Sequence, residues 1–90
     1  MARLDMSEFA PAELGAGPAT ADTLFELGMM YASGREVPVD LVTAHKWFNL
    51  AAMRGSDVAK GWRNQIAEEM NAGQIAQAQK LAREWLKIFQ

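Results

Sequence analysis

The sequence predicts an all-α protein: a short α-solenoid of two helix hairpins, four helices in all, preceded by an irregular N-terminal tail. Three observations carry this. Apolar residues recur with helical period in four separate segments. The breaks between those segments hold residues that stop and start helices. Alanine supplies sixteen of the ninety residues and no proline follows Pro38, a composition that favours helix over sheet.

Residues 1–20 read as a tail that is either docked or disordered. Pro11, Gly15, Gly17 and Pro18 discourage any long helix there, while Ser7 could cap a short turn and Leu4, Met6 and Phe9 could pack on the domain. The first helix is expected near Ala21, with Thr20 as N-cap and Asp22 favourably placed in the first turn. Leu24, Leu27, Gly28 and Tyr31 fall at i, i+3, i+4 and i+7, one buried stripe. Gly34 suits a left-handed helix end, and Asp40 suits the next N-cap. The second helix buries Ala44, Trp47, Phe48, Ala51 and Ala52 and stops at Gly55. Small residues among aromatic ones let a neighbouring helix come close, which also accounts for Gly28 at a helix-propensity cost of about 1 kcal/mol.

The third helix opens at Ser56 or Asp57 and is expected to bury Val58, Ala59, Trp62, Ile66 and Met70. Asn71 and Gln74 form a capping box for a fourth helix carrying Ile75, Ala78, Leu81, Ala82, Trp85, Ile88 and Phe89. The tight turn implies that helices three and four are antiparallel neighbours.

Ninety residues make one compact domain. The formal net charge of −2 and pI of about 5.3 argue against nucleic acid as a partner. The charge is uneven: through Asp40 there are two basic residues against seven acidic, and from Leu41 onward seven basic against four acidic. Solvated helix faces explain this; so does attraction between one end and the other, within a molecule or between copies. Cysteine is absent, which removes disulfides and thiolate chemistry. No stretch has the apolar length of a membrane span, and the N-terminus lacks the pattern of a secretory signal, so a cytoplasmic protein is the default expectation.

Enzyme readings fail for want of parts. His45 is the sole histidine, lies off the buried stripe, and is expected on the surface. Glu68 and Glu69 are adjacent on a helix and point apart, so they do not converge on a ligand. No catalytic residue, metal or cofactor is expected.

Internal similarity is weak but present: Ala44-x-x-Trp47-Phe48-x-x-Ala51 parallels Ala78-x-x-Leu81-Ala82-x-x-Trp85. A longer pattern says more. Leu27-Gly28-x-x-Tyr31-x-x-Gly34-x-x-Val37-x-x-Asp40-x-x-x-Ala44-x-x-Trp47-x-x-x-Ala51-Ala52-x-x-Gly55 closely resembles a Sel1-like repeat, a relative of the tetratricopeptide repeats. The resemblance covers one full unit, 21–56; residues 57–90 look like a shortened closing unit. One position departs from the family pattern, whose loop usually reads Gly-x-Gly-Val: here Glu36 takes the place of the second glycine.

The resemblance implies a non-enzymatic interaction scaffold whose first helices line a concave face. Phe25, Met29 and Met30 lie off the packing stripe, and adaptable methionines beside an aromatic suit a binding groove; cover by the N-terminal tail is the other explanation. Trp85, Ile88 and Phe89 on the last helix have no following repeat to pack on. Phe25, Met29, Met30, Trp85 and Phe89 are therefore the candidate partner-binding residues. The expected function is an adaptor that takes a peptide or helix of another protein. The alternative is a homo-oligomer formed by stacking of exposed repeat ends, and a regulatory subunit would present the same surfaces.

Overall fold

The structure, a computed structural model, describes residues 19–89, so the expectations for the tail before Ala19 lie outside the described residues. Four helices follow in order: α1 (Ala21–Ser33), α2 (Leu41–Met53), α3 (Asp57–Ala67) and α4 (Ala72–Phe89). No strand occurs among the described residues.

Each helix starts on a side chain that satisfies its otherwise orphaned N–H groups. Thr20 accepts from the Thr23 backbone N–H, and the Thr23 hydroxyl oxygen accepts in return from the Thr20 N–H, both at 3.1 Å. The Asp40 carboxylate accepts from the Thr43 N–H at 3.1 Å and from its hydroxyl at 2.7 Å. Ser56 caps α3 through the Ala59 N–H at 3.1 Å. Asn71 and Gln74 form the reciprocal box before α4, at 2.8 and 2.9 Å.

Gly34 ends α1 in the left-handed region, φ 78°, and its N–H donates to the Met30 carbonyl. Glu36 also has positive φ, 69°. An exposed glutamate held in this left-handed region carries a strain of roughly 1 kcal/mol.

The helices are organised around α2, which makes close backbone approaches to each of the other three. Direction follows from the contacts. The Asp40 N–H donates to the Tyr31 carbonyl and Phe48 lies against Phe25, so α1 runs antiparallel to α2. Only residues 54–56 separate α2 from α3, and Trp62 still faces Phe48, so α3 doubles back antiparallel to α2. On α4, Gln74 shares a cleft with Leu41 and Val42 whereas Trp85 meets Trp47 and Arg54, so α4 is parallel to α2.

This arrangement corrects one expectation. Helices α3 and α4 are joined by a tight turn, yet they scarcely approach each other. Each packs on α2 instead, because the large side chains that fill the second hairpin's faces, Trp62 and Trp85, find their ring partners there.

A helix enclosed on three sides buries more than one stripe. Leu50 and His45 of α2 are 1 % and 4 % exposed, flanking Ala44, Trp47, Phe48 and Ala51. His45, expected on the surface, is therefore a core residue. One expectation fails in the other direction. Val58 is 62 % exposed because it sits in the first turn of α3, beyond the Ala59 and Ile66 face that meets α2. Ile88, read with Trp85 and Phe89 as an apolar residue that needs a cover, is 71 % exposed near the end of α4.

Candidate functional site

Of the residues marked out as partner-binding, two stay together on one open face. Phe25 and Met29 of α1 are half-buried and packed at the edge of the core. Opposite them Trp62 of α3 is half-buried as well. Beneath these two banks Phe48 is wholly buried. Its ring lies 5.8 Å from Phe25 and 6.3 Å from Trp62 between centroids, so the three aromatics form a row from α1 across α2 to α3. Exposed Val58 is one helical turn before Trp62 and extends the same bank. Gly28 makes the row possible: a Cβ there would meet Phe48 Cδ1 and Cε1 at 2.5 Å. The result is an apolar strip across two parallel helices, its half-buried side chains backed by the buried Phe48 ring.

Two other candidates are corrected. Met30 is 9 % exposed and belongs to the core, because it extends from the Leu27 side of α1, where the helix is covered. Trp85 is 6 % exposed; its ring stands edge-on to Trp47 at 6.0 Å, and the Arg54 guanidinium lies 5.9 Å from its centre. The last described helix covers this tryptophan by turning it toward α2. Phe89 is 43 % exposed and stands 5.3 Å from Trp85, far from the strip in the fold, at the end of α4.

Trp62 is the residue of the strip that sequence reasoning missed. Its periodicity assigned it to the core, and it does pack there. A tryptophan is too large to be covered from one side, however, so it serves core and strip at once.

A second concavity, of about 460 Å³, opens at the other end of α2 between Tyr31, Pro38, Val39, Asp40, Leu41, Val42 and Gln74. Its polar groups are already committed: Asp40 caps α2 and Gln74 caps α4. No group of histidine, aspartate and glutamate able to hold a metal occurs among the described residues. Among the described residues no helix is long and apolar enough to cross a membrane.

The proton affinity of His45 is displaced by its surroundings. Burial lowers its pKa below 6.5, the Arg63 guanidinium lowers it further, and its own backbone offsets part of this. Its Nδ1 has no hydrogen-bond partner among the described residues. The unfolded chain, with the higher pKa, binds the proton more readily. The contribution of neutral His45 to stability is therefore complete above pH 6.5 and declines as pH falls below it. Chemical denaturation between pH 7 and pH 5 should show stability falling with pH, and His45→Gln should flatten that part of the profile. An unchanged slope in the variant would place the titrating group elsewhere.

Comparison with known proteins agrees with this architecture. Residues 21–56 match the family model of the Sel1 repeat, which spans α1, α2 and the turn into α3. No curated protein and no solved structure matches the chain.

Proposed function

From its Sel1 repeat at 21–56, which makes the chain a Sel1-repeat protein, we propose that it is a protein-interaction module whose α1–α3 strip receives an apolar segment of a partner protein. Sel1 repeats generally mediate protein–protein interaction. The observation that carries the reading is the aromatic row Phe25, Phe48 and Trp62, with Phe48 fixed beneath two half-exposed rings.

Such a row favours a partner with aliphatic or aromatic side chains spaced along a helix or extended strand. Buried aromatic anchors dominate binding energy at interfaces, and Trp62 offers a large area at small entropic cost. Met29 adds an adaptable side chain. Asp22 and Glu26 are exposed on α1 and give the rim a negative character; Arg35 pairs with Glu26 at 3.4 Å, a contact too exposed to hold much energy.

The test uses a phage-displayed library of random peptides selected on the full chain. Selected peptides should be rich in apolar residues and should change the emission of Trp62, which lies on the strip. Phe25→Asp should weaken them at least about tenfold, the loss expected for removing one hot-spot anchor, with the helical circular dichroism unchanged. Glu84→Ala, on α4, should leave binding intact. Peptides that bind Phe25→Asp as tightly as the unaltered chain would sink this assignment.

A further inference from the structure

The outer side of α4 carries charge and apolar surface that nothing among the described residues covers. Lys80, Arg83, Glu84 and Lys87 fall at i, i+3, i+4 and i+7 and so share one face. Three are basic and one acidic, and the three cations form no ion pair among the described residues. Beside this stripe stand Ile88, 71 % exposed, and Phe89, 43 % exposed. The surface is thus basic along its length and apolar at its C-terminal end.

The segment that leads into α1 is held at the same place. The Arg54 guanidinium donates to the Ala19 carbonyl at 2.6 Å while lying 5.9 Å from the Trp85 ring, and Phe89 stacks on that ring at 5.3 Å. Ala19 itself is buried. Ala19, the first described residue, therefore lies beside Trp85, on the α4 side of the molecule, and the preceding segment is tethered there. That segment contains Leu4, Met6 and Phe9 interleaved with Asp5 and Glu8, and its acidic residues Asp5, Glu8 and Glu13 outnumber its one basic residue, Arg3.

We propose that residues 4–9 of this chain dock on the C-terminal half of α4, with Leu4, Met6 and Phe9 on Ile88 and Phe89, and Asp5 and Glu8 on the Arg83 and Lys87 side. The charges are complementary, and the apolar residues answer one another. Reach is ample, since the ten or so residues between Phe9 and Ala19 extend to roughly 33 Å. Tethering also gives the segment an effective concentration on the order of millimolar. A second copy of the chain offers the same residues without that advantage. The docked segment covers the apolar surface that α4 leaves exposed at Ile88 and Phe89.

The chain has no cysteine, so one introduced thiol can be spin-labelled without ambiguity. A nitroxide on Ser7→Cys, and separately on Ala12→Cys as a second placement, would be read by paramagnetic broadening of backbone amides in the full chain. Residues 84–89 are expected to lose most of their signal, while Phe25, Met29 and the Trp62 indole keep theirs. Leu4→Asp with Phe9→Asp, or added salt, should restore the lost signals. Uniform weak broadening would overturn the proposal, as would broadening centred on the α1–α3 strip. Broadening seen only between labelled and isotope-enriched copies would assign α4 to self-association and overturn it too. None of these outcomes depends on peptide binding at the strip, so the two proposals fail separately.

Discussion

Replacing Trp47 with alanine is expected to remove about 3–5 kcal/mol of stability, the usual cost of truncating a buried tryptophan. Trp47 is wholly inaccessible and occupies the centre of α2, the helix on which the other three depend. Its ring is also the partner of Trp85, 6.0 Å away and near perpendicular, so the contact joins the repeat to the closing unit. Truncation leaves a cavity there and strips Trp85 of its edge-to-face partner. Domains of this size have on the order of 5–10 kcal/mol in total. The variant should therefore unfold at much lower urea concentration, followed by helical circular dichroism, with a sizeable unfolded fraction near body temperature. Trp47→Phe should cost clearly less. It keeps most of the ring volume, and it removes an indole Nε1 that has no hydrogen-bond partner among the described residues. A loss below about 1 kcal/mol for the alanine variant would show that the site collapses around the gap, and that α2 is not the pillar described.

Trp47 was legible from sequence, and so was most of the local framework. Thr20, Asp40, Ser56 and Asn71 are capping residues at the spacing that starts a helix, and all four serve as caps. Gly34 and Gly55 mark helix ends, and both have positive φ. These signals are local: each depends on a few neighbouring residues and the backbone between them. The errors are tertiary. His45 was assigned to the surface because one stripe was taken to be all that α2 buries, and no local pattern says that a helix has three neighbours. Val58 keeps helical period and so reads as core, although a period does not state how far along a helix the contact extends. The strip lay between these cases. Phe25 and Met29 stood out as apolar residues off the stripe, but Trp62 did not, since its pattern accounts only for the side of the ring that packs. Which bank faces Phe25 is a matter of how α3 crosses α2.

Gly28→Ala is expected to destabilise the protein by about 1–2 kcal/mol, although the change improves helix propensity. Alanine in place of glycine within a helix is worth about 1 kcal/mol in its favour. Against this, the new methyl would stand 2.5 Å from Phe48 Cδ1 and Cε1 and 3.0 Å from Cγ, well inside contact distance. Overpacking of a filled core costs typically 1–3 kcal/mol, and the size depends on whether the ring can retreat. Phe48 is fully buried, with Phe25 on one side and Trp62 on the other. It can yield only by displacing one of the two rings of the strip, so the strain term wins. The effect should accordingly have two parts: a lower urea midpoint and a changed near-ultraviolet signal from Trp62. Phe48→Leu combined with Gly28→Ala makes room for the methyl, and the pair should be less destabilising than the sum of the two single changes. If Gly28→Ala instead raised the midpoint, the close approach of α1 to α2 would be relaxed at no cost. The aromatic row would then be a loose contact rather than the fixed base that a binding surface requires.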